Sequence, residues 1–388
     1  MNLFKRALSA LLLVCLLLPV CVTAEEDPFG DTIVIDTAEA QSGEEEFYIP
    51  DDEEIAKDIE ILDDERDESV DPNKLDLNEN LPDHIVNILL VGIDGRTEDM
   101  DSSKSTQHGD VQIVVSINKK DGSIKLTSIM RDLYVKIPGY KSKNRINAAY
   151  SKGGGQLAMR TINNLLQLNI QHYVTINFYG LASIIDSLGG IDIDLTAKEA
   201  KAINDYINKN LKKSGYDNQD KDYERQPLKR EDGVQHLDGI QAVMYARLRS
   251  NAGGDGDFTR TARQRHLLEL LLKKVLQDGL NSRNLINLLA TCLPYAKTNM
   301  SLKDLGALAT GVLNSGIVDR MNSGEALLEQ FRVPMGEYGN KEVKPTWRYT
   351  ETSGGASVIS FLTASMNGQQ VNTEAVHNFI YGEYIPAK

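Results

Sequence analysis

Three runs of β-branched and other apolar residues indicate that the ordered part of this chain is built on a sheet. The first, Ile85-Val-Asn-Ile-Leu-Leu-Val-Gly-Ile93, has the length and composition of a buried strand. The second and third, 111–117 and 123–129, flank Asn118-Lys-Lys-Asp-Gly122. An Asp-Gly pair between two such runs is a strong signal for a tight turn. The sequence therefore predicts a β-hairpin preceded by a buried strand.

Helical and strand patterns alternate along the rest of the chain. Apolar residues recur at helical spacing over 156–168, and a capping box of Thr196 and Glu199 starts a helix that reaches about residue 212. The remaining predicted elements are a strand over 173–178, a short helix over 181–188, an edge strand over 191–195, helices to about 330, and short strands over 331–388 with a last helix near 373–381. This mixture predicts an α/β fold, in which helices sandwich a mixed, largely antiparallel central sheet in a single domain.

The net charge of -14 is concentrated in one segment. Residues 25–80 carry 23 Asp and Glu against 3 Lys and Arg, and they have no sustained apolar period. Such a composition is typical of a disordered linker, so we expect an acidic spacer over 25–80 and a mildly basic domain over 81–388. The spacer either holds the domain away from an anionic surface or has no specific function.

The first 24 residues have the pattern of an export signal. Lys5 and Arg6 precede an apolar run over 7–22, and residues 22–24 fit a cleavage site. The run is short for a membrane span, but it could also serve as an N-terminal membrane anchor. Because the positive flank stays inside, we expect the rest of the chain at the outer face of the cytoplasmic membrane or in the cell wall, anchored or secreted.

Charged residues at the open end of the hairpin predict a binding site. Asp110 precedes the first hairpin strand and Arg131 follows the second, so reflection through the turn places them opposite each other. Asp94 reaches the same edge if the strand 85–93 runs antiparallel to the hairpin. Two close carboxylates repel unless a cation lies between them, and oxygen ligands favour Mg²⁺, Mn²⁺ or Ca²⁺ over zinc. Asp94 and Asp110 are thus candidate metal ligands; alternatively, they are ordinary turn and capping residues.

Residues 245–265 hold five arginines around a glycine-rich turn, and no lysine occurs between residues 231 and 272. Arginine presents a rigid donor fork that matches two phosphate oxygens, whereas lysine is a point charge. The helix that Asp238 caps would direct Arg247 inward. Arg247 and Arg249 share a face if the chain is extended there.

The next helix carries a second charged face. Asp257 is expected to cap it, and Arg260, Arg263 and Gln264 share one side. Arg265 is expected to be a surface charge. The alternative is a solvated helix face with ordinary ion pairs. A pocket with several arginines and a hard cation suits a dianion such as a pyrophosphate, because arginines neutralise the charge that grows on a leaving phosphate.

Six short motifs stand in a fixed order along about 84–275. They are Asn87-Ile-Leu-Leu-Val-Gly-Ile-Asp-Gly-Arg96, Gly109-Asp110 before an apolar strand, Ser128-Ile-Met-Arg-Asp132, Arg145-Ile-Asn-Ala-Ala-Tyr150, Asp186-Ser-Leu-Gly-Gly-Ile191, and Tyr245-Ala-Arg-Leu-Arg249 with Gly256-Asp-Phe-Thr-Arg260 and Arg263-Gln264. Together they resemble the LytR-CpsA-Psr family of cell-envelope proteins. Three positions depart from the usual family pattern: Val111-Gln112 replaces Thr-Met, Met130 replaces Pro, and Arg145 replaces Lys. The first departure removes a hydroxyl that would support Asp110.

The resemblance implies an enzyme that transfers a polyprenyl-pyrophosphate-linked glycan, of the teichoic acid or capsule type. The acceptor would be a sugar hydroxyl of peptidoglycan, and polyprenyl phosphate would be released. The lipid would lie in an apolar tunnel between sheet and helices, at the cytoplasmic membrane. Mg²⁺, or Mn²⁺ in its place, would be bound by Asp94 and Asp110.

The resemblance also implies roles for the remaining charged residues. The pyrophosphate would be contacted by Arg131, Arg145, Arg247, Arg249, Arg263 and Gln264. The expected catalytic residues are Asp110, Arg131, Arg247, Asp257 and Arg260.

Two other activities fit the same residues. One is a pyrophosphatase in which water replaces the sugar hydroxyl, and the other is a non-catalytic scaffold that binds polyprenyl phosphate. No nucleic-acid partner is expected, because an exported chain without a helix-turn-helix pattern does not reach DNA.

Overall fold

A computed structural model describes residues 67, 69–93, 108–211, 225–248, 256–277, 296–301, 304, 308, 328–336, 346–362 and 367–387. The strands among them are β1 (Ile85–Ile93), β2 (Gly109–Asn118), β3 (Ile124–Ile129), β4 (Tyr134–Lys136), β5 (Lys143–Arg145), β6 (His172–Asn177), β7 (Ile191–Leu195), β8 (Gly233–Leu237), β9 (Ala296–Thr298), β10 (Leu328–Val333), β11 (Trp347–Glu351) and β12 (Ser357–Phe361). The α-helices are α1 (Ala148–Leu166), α2 (Phe178–Ser187), α3 (Ala197–Tyr206), α4 (Gly239–Arg247), α5 (Gly256–Gln277) and α6 (Gly368–Tyr381).

The central sheet has the strand order β10-β3-β2-β1-β6-β9. The pairs β1–β2, β2–β3 and β6–β9 are antiparallel, whereas β1–β6 and β3–β10 are parallel. The ribbons β4–β5, β7–β8 and β11–β12 lie outside this sheet. The mixed, largely antiparallel sheet expected from the sequence is therefore confirmed.

The predicted hairpin forms because its turn satisfies its own backbone. Gly122 has a φ of 63° and donates its N–H to the carbonyl of Asn118 at 2.8 Å. The Asp121 carboxylate accepts from the Ser123 N–H at 2.8 Å and from the Asn118 side-chain amide at 2.9 Å. Only glycine adopts such a positive φ readily, so the Asp-Gly pair sets the turn and with it the register of the two strands.

Helices cover both faces of the sheet. On one face, a first core cluster joins Leu90 and Ile113 to apolar side chains of α2, α3, α4 and α5. On the other face, a second core cluster joins Leu89 and Val114 to α1 and α6. Since β1 and β2 are buried on both sides, their sequences read as continuous apolar runs rather than as alternating patterns.

Helix α1 begins at Ala148, earlier than the predicted start at residue 156. It is kinked at Gly153 and Gly154, whose φ/ψ angles are -163°/30° and 59°/-156°. Gly155 follows the kink and lies against Tyr173, where an added Cβ would come within 2.5 Å of the ring. A kink and a close approach thus account for the three consecutive glycines.

The ordered domain also begins earlier than residue 81. Leu75, 1% exposed, belongs to the second core cluster, and its carbonyl accepts from the Asn163 side chain at 2.9 Å. The last part of the predicted linker therefore packs against α1, and the boundary at residue 80 was placed too late. The sequence did not indicate this packing, because the segment is acidic and only a few of its side chains are buried.

Two predictions for the helical region need correction. Strand β9 lies where helices were expected, and it extends the sheet beside β6. Helix α5 begins at Gly256, so Asp257 lies in the first turn and not at the expected cap position. By contrast, Asp238 does cap α4, since its carboxylate accepts from the Gln241 N–H at 2.8 Å.

None of the helices in the described residues is long and apolar enough to cross a membrane. The predicted export signal over 1–24 and most of the predicted linker, 25–66, lie outside the described residues, as does Arg249.

Candidate active site

At the edge of the sheet that is formed by strand ends, residues of three neighbouring strands lie next to each other. Asn177 of β6 pairs with Ile93 of β1, and Ile93 pairs with Gly109 of β2. This edge holds the carboxyl ends of two parallel strands, where binding sites are commonly built. Phe178 continues from β6, while Asp94, which would continue from β1, lies outside the described residues.

Asp110 is the extra residue of a bulge in β2. The pairing moves from Gly92–Val111 to Ile93–Gly109 and leaves Asp110 between them. Bulges redirect side chains and are frequent beside active sites. Here the Asp110 carboxylate meets Arg131, with Oδ2 2.9 Å from Nη1. The two side chains are 27% and 17% exposed, so the ion pair is partly shielded and still reachable by a ligand. The predicted proximity of Asp110 and Arg131 is confirmed.

Asn147 supports this ion pair, although the sequence alone did not single it out. Its side-chain amide donates to Asp110 Oδ1 at 3.1 Å. Its backbone N–H donates to the Arg131 carbonyl at 3.3 Å, and its own carbonyl accepts from the Gly109 N–H at 3.2 Å. Asn147 thus ties the start of α1 to both hairpin strands and supplies Asp110 with a donor that Val111 cannot provide.

Asp132 holds two arginines next to each other. Its Oδ2 lies 3.4 Å from Arg131 Nε, and its Oδ1 lies 3.1 Å from Arg145 Nε. Arg145 also donates to the Ser357 carbonyl at 2.7 Å. The pairing of β4 with β5 brings Arg145 back towards Arg131. The sequence did not predict a role for Asp132, although it belongs to the same motif as Arg131.

Arg247 lies beside the same edge of the sheet. Its guanidinium carbon is 4.2 Å from the ring centroid of Phe178 and 5.7 Å from that of Tyr206. Strands lie about 4.8 Å apart, so the backbone positions of Phe178 and Asp110 differ by roughly two strand spacings, about 10 Å. The prediction that Arg247 points inward is confirmed. Its packing on Phe178 places its charge on the side of the site that faces β6 and α4.

Arg263 is held by an acidic residue of α3. Its Nε and Nη2 each lie 2.9 Å from Glu199 Oε1, and its Nη1 donates to the Leu248 carbonyl at 3.3 Å. Glu199 also closes the predicted capping box at Thr196. Burial, with the Glu199 charge as the second cause, raises the pKa of Tyr245 to about 12, so that this hydroxyl stays protonated. These contacts use three of the five guanidinium N–H groups of Arg263, and Glu199 offsets part of its charge.

Two further residues of α5, Arg260 and Gln264, lie on its inner side. Arg260 is buried and Gln264 is half-buried, in line with Leu267 of the first core cluster. A solvated helix face is therefore excluded for Arg260. The Asp257 side chain lies outside the described part of the structure, so its predicted role stays a prediction.

Arg265 is not the surface charge that the sequence suggested. Its Nε and Nη1 are buried, and neither has a hydrogen-bond partner among the described residues. Burial, and secondarily repulsion by Arg332, lowers the pKa of Arg265 to about 10. Helical periodicity gives the side of α5 on which Arg265 lies, but it could not show that this side is buried.

No group of three or more His, Cys, Asp and Glu side chains in the described part of the chain could hold a metal ion. Of the two predicted ligands, only Asp110 is described. Each of its carboxylate oxygens accepts one hydrogen bond, from Arg131 or from Asn147. Lone pairs remain on a partly exposed carboxylate, which is the oxygen donor that Mg²⁺ prefers.

The fold is a mixed sheet covered by helices, and arginines lie around Asp110 at the ends of its strands. Arginine forks match phosphate oxygens in pairs, so this class of protein is suited to phosphorylated ligands. The model of the LytR_cpsA_psr family matches residues 53–328, more than half of the chain. The chain therefore belongs to this family.

Two curated relatives show the extent of the similarity. The chain is 34% identical over 238 residues to the polyisoprenyl-teichoic acid–peptidoglycan teichoic acid transferase TagU of Enterococcus faecalis, which covers 61% of this chain and 68% of that protein. It is also 34% identical over 218 residues to the transferase TagV of Bacillus subtilis, over 54% of this chain and 50% of that protein. The match thus spans about half the length of TagV.

Solved structures share the fold. The crystal structure of Bacillus subtilis TagV matches with a TM-score of 0.54 and 24% identity, over 79% of this chain and all of that one. A structure of TagT bound to LI-WTA matches with a TM-score of 0.52 and 21% identity, over 81% of this chain and 95% of that one. These matches confirm the fold class expected from the sequence.

Proposed function

We propose that this protein transfers a polyprenyl-pyrophosphate-linked glycopolymer, of the teichoic acid or capsule type, to a sugar hydroxyl of peptidoglycan. The observation that carries the proposal is the Asp110–Arg131 ion pair at the strand edge, with Arg145 held next to it through Asp132. Membership of the LytR_cpsA_psr family and the printed names of the relatives support the same reaction.

The reaction exchanges one phosphorus–oxygen bond for another. The acceptor hydroxyl oxygen attacks the phosphorus that carries the glycan, and the bond from that phosphorus to the bridging oxygen breaks. The products are a phosphodiester between glycan and peptidoglycan and a polyprenyl phosphate, while the hydroxyl proton passes to a base or to water. Negative charge grows on the leaving phosphate, so the site must supply fixed positive charge.

The arginines supply that charge from two sides. Arg131 and Arg145 lie on the hairpin side, and Arg247 lies on the helix side against Phe178. The ion pairs and the aromatic contact position them before a ligand arrives, which reduces the reorganisation that the reaction requires. Asp110 orients Arg131 and presents its remaining lone pairs to the ligand or to a cation.

A divalent cation belongs to this proposal, with Mg²⁺ first and Mn²⁺ as the alternative. Asp110 would hold it, together with Asp94, which follows β1 in the sequence. When bound, such an ion neutralises phosphate oxygens and polarises the phosphorus. The polyprenyl chain would lie between sheet and helices, and the protein would work at the outer face of the cytoplasmic membrane.

The test is incubation of the full chain with a short lipid-pyrophosphate-linked glycan, Mg²⁺ and peptidoglycan fragments, with products read by mass spectrometry. A phosphodiester-linked glycan on peptidoglycan is the expected product. Glycan phosphate without a linked product would mean that the enzyme is a pyrophosphatase, and tight lipid binding without either product would mean a scaffold. Omitting Mg²⁺ and adding a chelator tests the cation separately.

A further inference from the structure

A cleft of about 540 Å³ lies between the β4–β5 ribbon, β12, α1 and the start of α6. Its volume is within the range of about 300–1,000 Å³ that is usual for ligand sites. Its walls carry aromatic rings, amides and cations, which are contributed by Tyr134, Phe361, Asn164, Gln369, Lys136 and Lys143. None of these residues belongs to the candidate active site described above.

The β4–β5 ribbon connects the cleft to that site. Tyr134 pairs with Arg145, and Lys136 pairs with Lys143. Directly paired residues share one side of a ribbon, as do residues two positions apart along a strand. Because Val135 faces the second core cluster, the other side carries both Arg145 and Lys143, whose backbones are roughly 7 Å apart along β5. An arginine of the active site and a lysine of the cleft therefore stand in one basic row.

The cleft has an excess of positive charge. No Asp or Glu occurs over residues 133–185, whereas the same stretch contains six Lys and Arg. Asp76 joins the lining from an earlier segment, but Arg160 holds it, with Oδ2 2.6 Å from Nε and Oδ1 3.2 Å from Nη2. Within the described part of the chain, no carboxylate pairs with Lys136 or Lys143. A ligand that balances this charge is anionic.

The amides and rings of the cleft suit a sugar. The side-chain amide of Asn164 donates to Asp76 at 2.6 Å, and that of Gln369 donates to the Leu165 carbonyl at 3.2 Å. Since these contacts use N–H groups, the two amide oxygens remain to accept from hydroxyl groups. Tyr134 is half-buried and adds an apolar ring face with a hydroxyl at its end. Sugars have both hydroxyl groups and apolar faces, so the lining matches them.

We propose that the cleft and the basic row form a binding site for an anionic glycan, meaning a sugar chain that carries phosphate or carboxylate groups. This inference rests on the proposed function, because the bound chain would run from the cleft past Arg145 towards Asp110. The chain is either the donor polymer beyond its pyrophosphate or the peptidoglycan acceptor, and both have this chemistry. A concave site with amide acceptors favours a glycan over the flat surface of a membrane.

The experiment measures calorimetric binding of two soluble glycans to the full chain: a teichoic acid fragment without its lipid, and a disaccharide-peptide fragment of peptidoglycan. In Lys136→Gln with Lys143→Gln, affinity for the glycan that occupies the cleft should fall by roughly 5- to 30-fold, because two partly exposed ionic contacts are lost. The matched control is Lys119→Gln with Lys120→Gln, which removes the same charge from exposed residues of the β2–β3 turn and should bind like the wild type. Lys143→Gln alone is the second variant, should the double variant fail to fold.

The two glycans identify the source of the chain. A loss of affinity confined to the teichoic acid fragment assigns the cleft to the donor, and a loss confined to the peptidoglycan fragment assigns it to the acceptor. Equal affinities of wild type and variant for both glycans would overturn the proposal. The same holds if the variant loses binding only to vesicles that contain anionic lipid. Binding is measured without catalysis, so absence of a transfer product would reject the proposed function and leave this result unchanged.

Discussion

The guanidinium of Arg247 lies 4.2 Å from the ring centroid of Phe178, which is the first residue after strand β6. This contact connects α4 to the sheet edge that carries Asp110. It explains how Arg247, which precedes the glycine-rich turn, reaches the site that Asp110 and Arg131 form at the hairpin.

Phe178→Leu should weaken the candidate active site without unfolding the domain. A cation–π contact contributes about 0.5–2 kcal/mol, so we expect transfer to fall by roughly 2- to 30-fold. Phe178→Tyr keeps the aromatic face and should retain most of the activity. Phe379→Leu, at a ring stack with Phe331 on β10, is the matched control. Equal activity in Phe178→Leu and wild type would contradict a role for this contact.

Arg131→Gln should reduce transfer by about 100-fold or more, because fixed charge at the leaving phosphate is lost. The measurement is the initial rate of formation of the linked product. Lys201→Gln removes another cation–carboxylate pair, with Asp205 at 2.7 Å, and should leave the rate unchanged. A similar loss of rate in both variants would indicate a general effect on folding.

Asn147→Asp tests the proposed cation. The substitution replaces the amide that donates to Asp110 at 3.1 Å with a second carboxylate. The two carboxylates repel without a cation and attract one strongly. We therefore expect a lower melting temperature in chelator and a larger rise with Mg²⁺ than in the wild type. Asn147→Ala should lower stability without increasing the Mg²⁺ response, and identical Mg²⁺ responses in all three proteins would exclude a cation at Asp110.

Gly155→Ala should destabilise the fold, because the new Cβ would lie 2.5 Å from the Tyr173 ring. Overpacking of this kind costs about 1–3 kcal/mol. Gly354→Ala is the control, since its nearest neighbour is a Thr352 hydroxyl at 3.9 Å. Denaturant unfolding of both variants gives the comparison, and equal midpoints would show that α1 can shift to admit the methyl group.

His377 should make the protein less stable as the pH falls. Its Nδ1 accepts from the Ile385 N–H at 3.2 Å, so the proton is on Nε2, which lies 2.8 Å from the Leu166 carbonyl. Burial holds the pKa of His377 below its ordinary value of 6.5. The unfolded chain then binds an extra proton below about pH 6.5, and stability decreases from there downward until the folded pKa is reached.

Denaturant unfolding at pH 7.5 and 5.5 measures this effect. His172 has a lowered pKa for the same main reason and contributes in the same window. The difference between the two pH values should shrink in His377→Gln. An unchanged difference would assign the pH dependence to other groups.

The sequence predictions were accurate for interactions between residues close in the sequence and less accurate for interactions between distant segments. The capping box at Thr196 and the helix cap at Asp238 were predicted correctly, since each is completed within three residues. Strand β9 was missed because three residues carry almost no periodic signal. Asn147 and Asp132 were missed as well, although both lie in motifs already noted, because their roles depend on partners in other segments.

Local pattern was enough to place Asp110 beside Arg131, because an Asp-Gly turn sets the register of the strands on either side of it. It also showed that Arg247 turns inward. Helical and strand periodicity gives the face on which a side chain lies, but not what is opposite that face. Long-range packing alone therefore placed Arg247 on Phe178, paired Arg263 with Glu199, and buried the Nε and Nη1 atoms of Arg265.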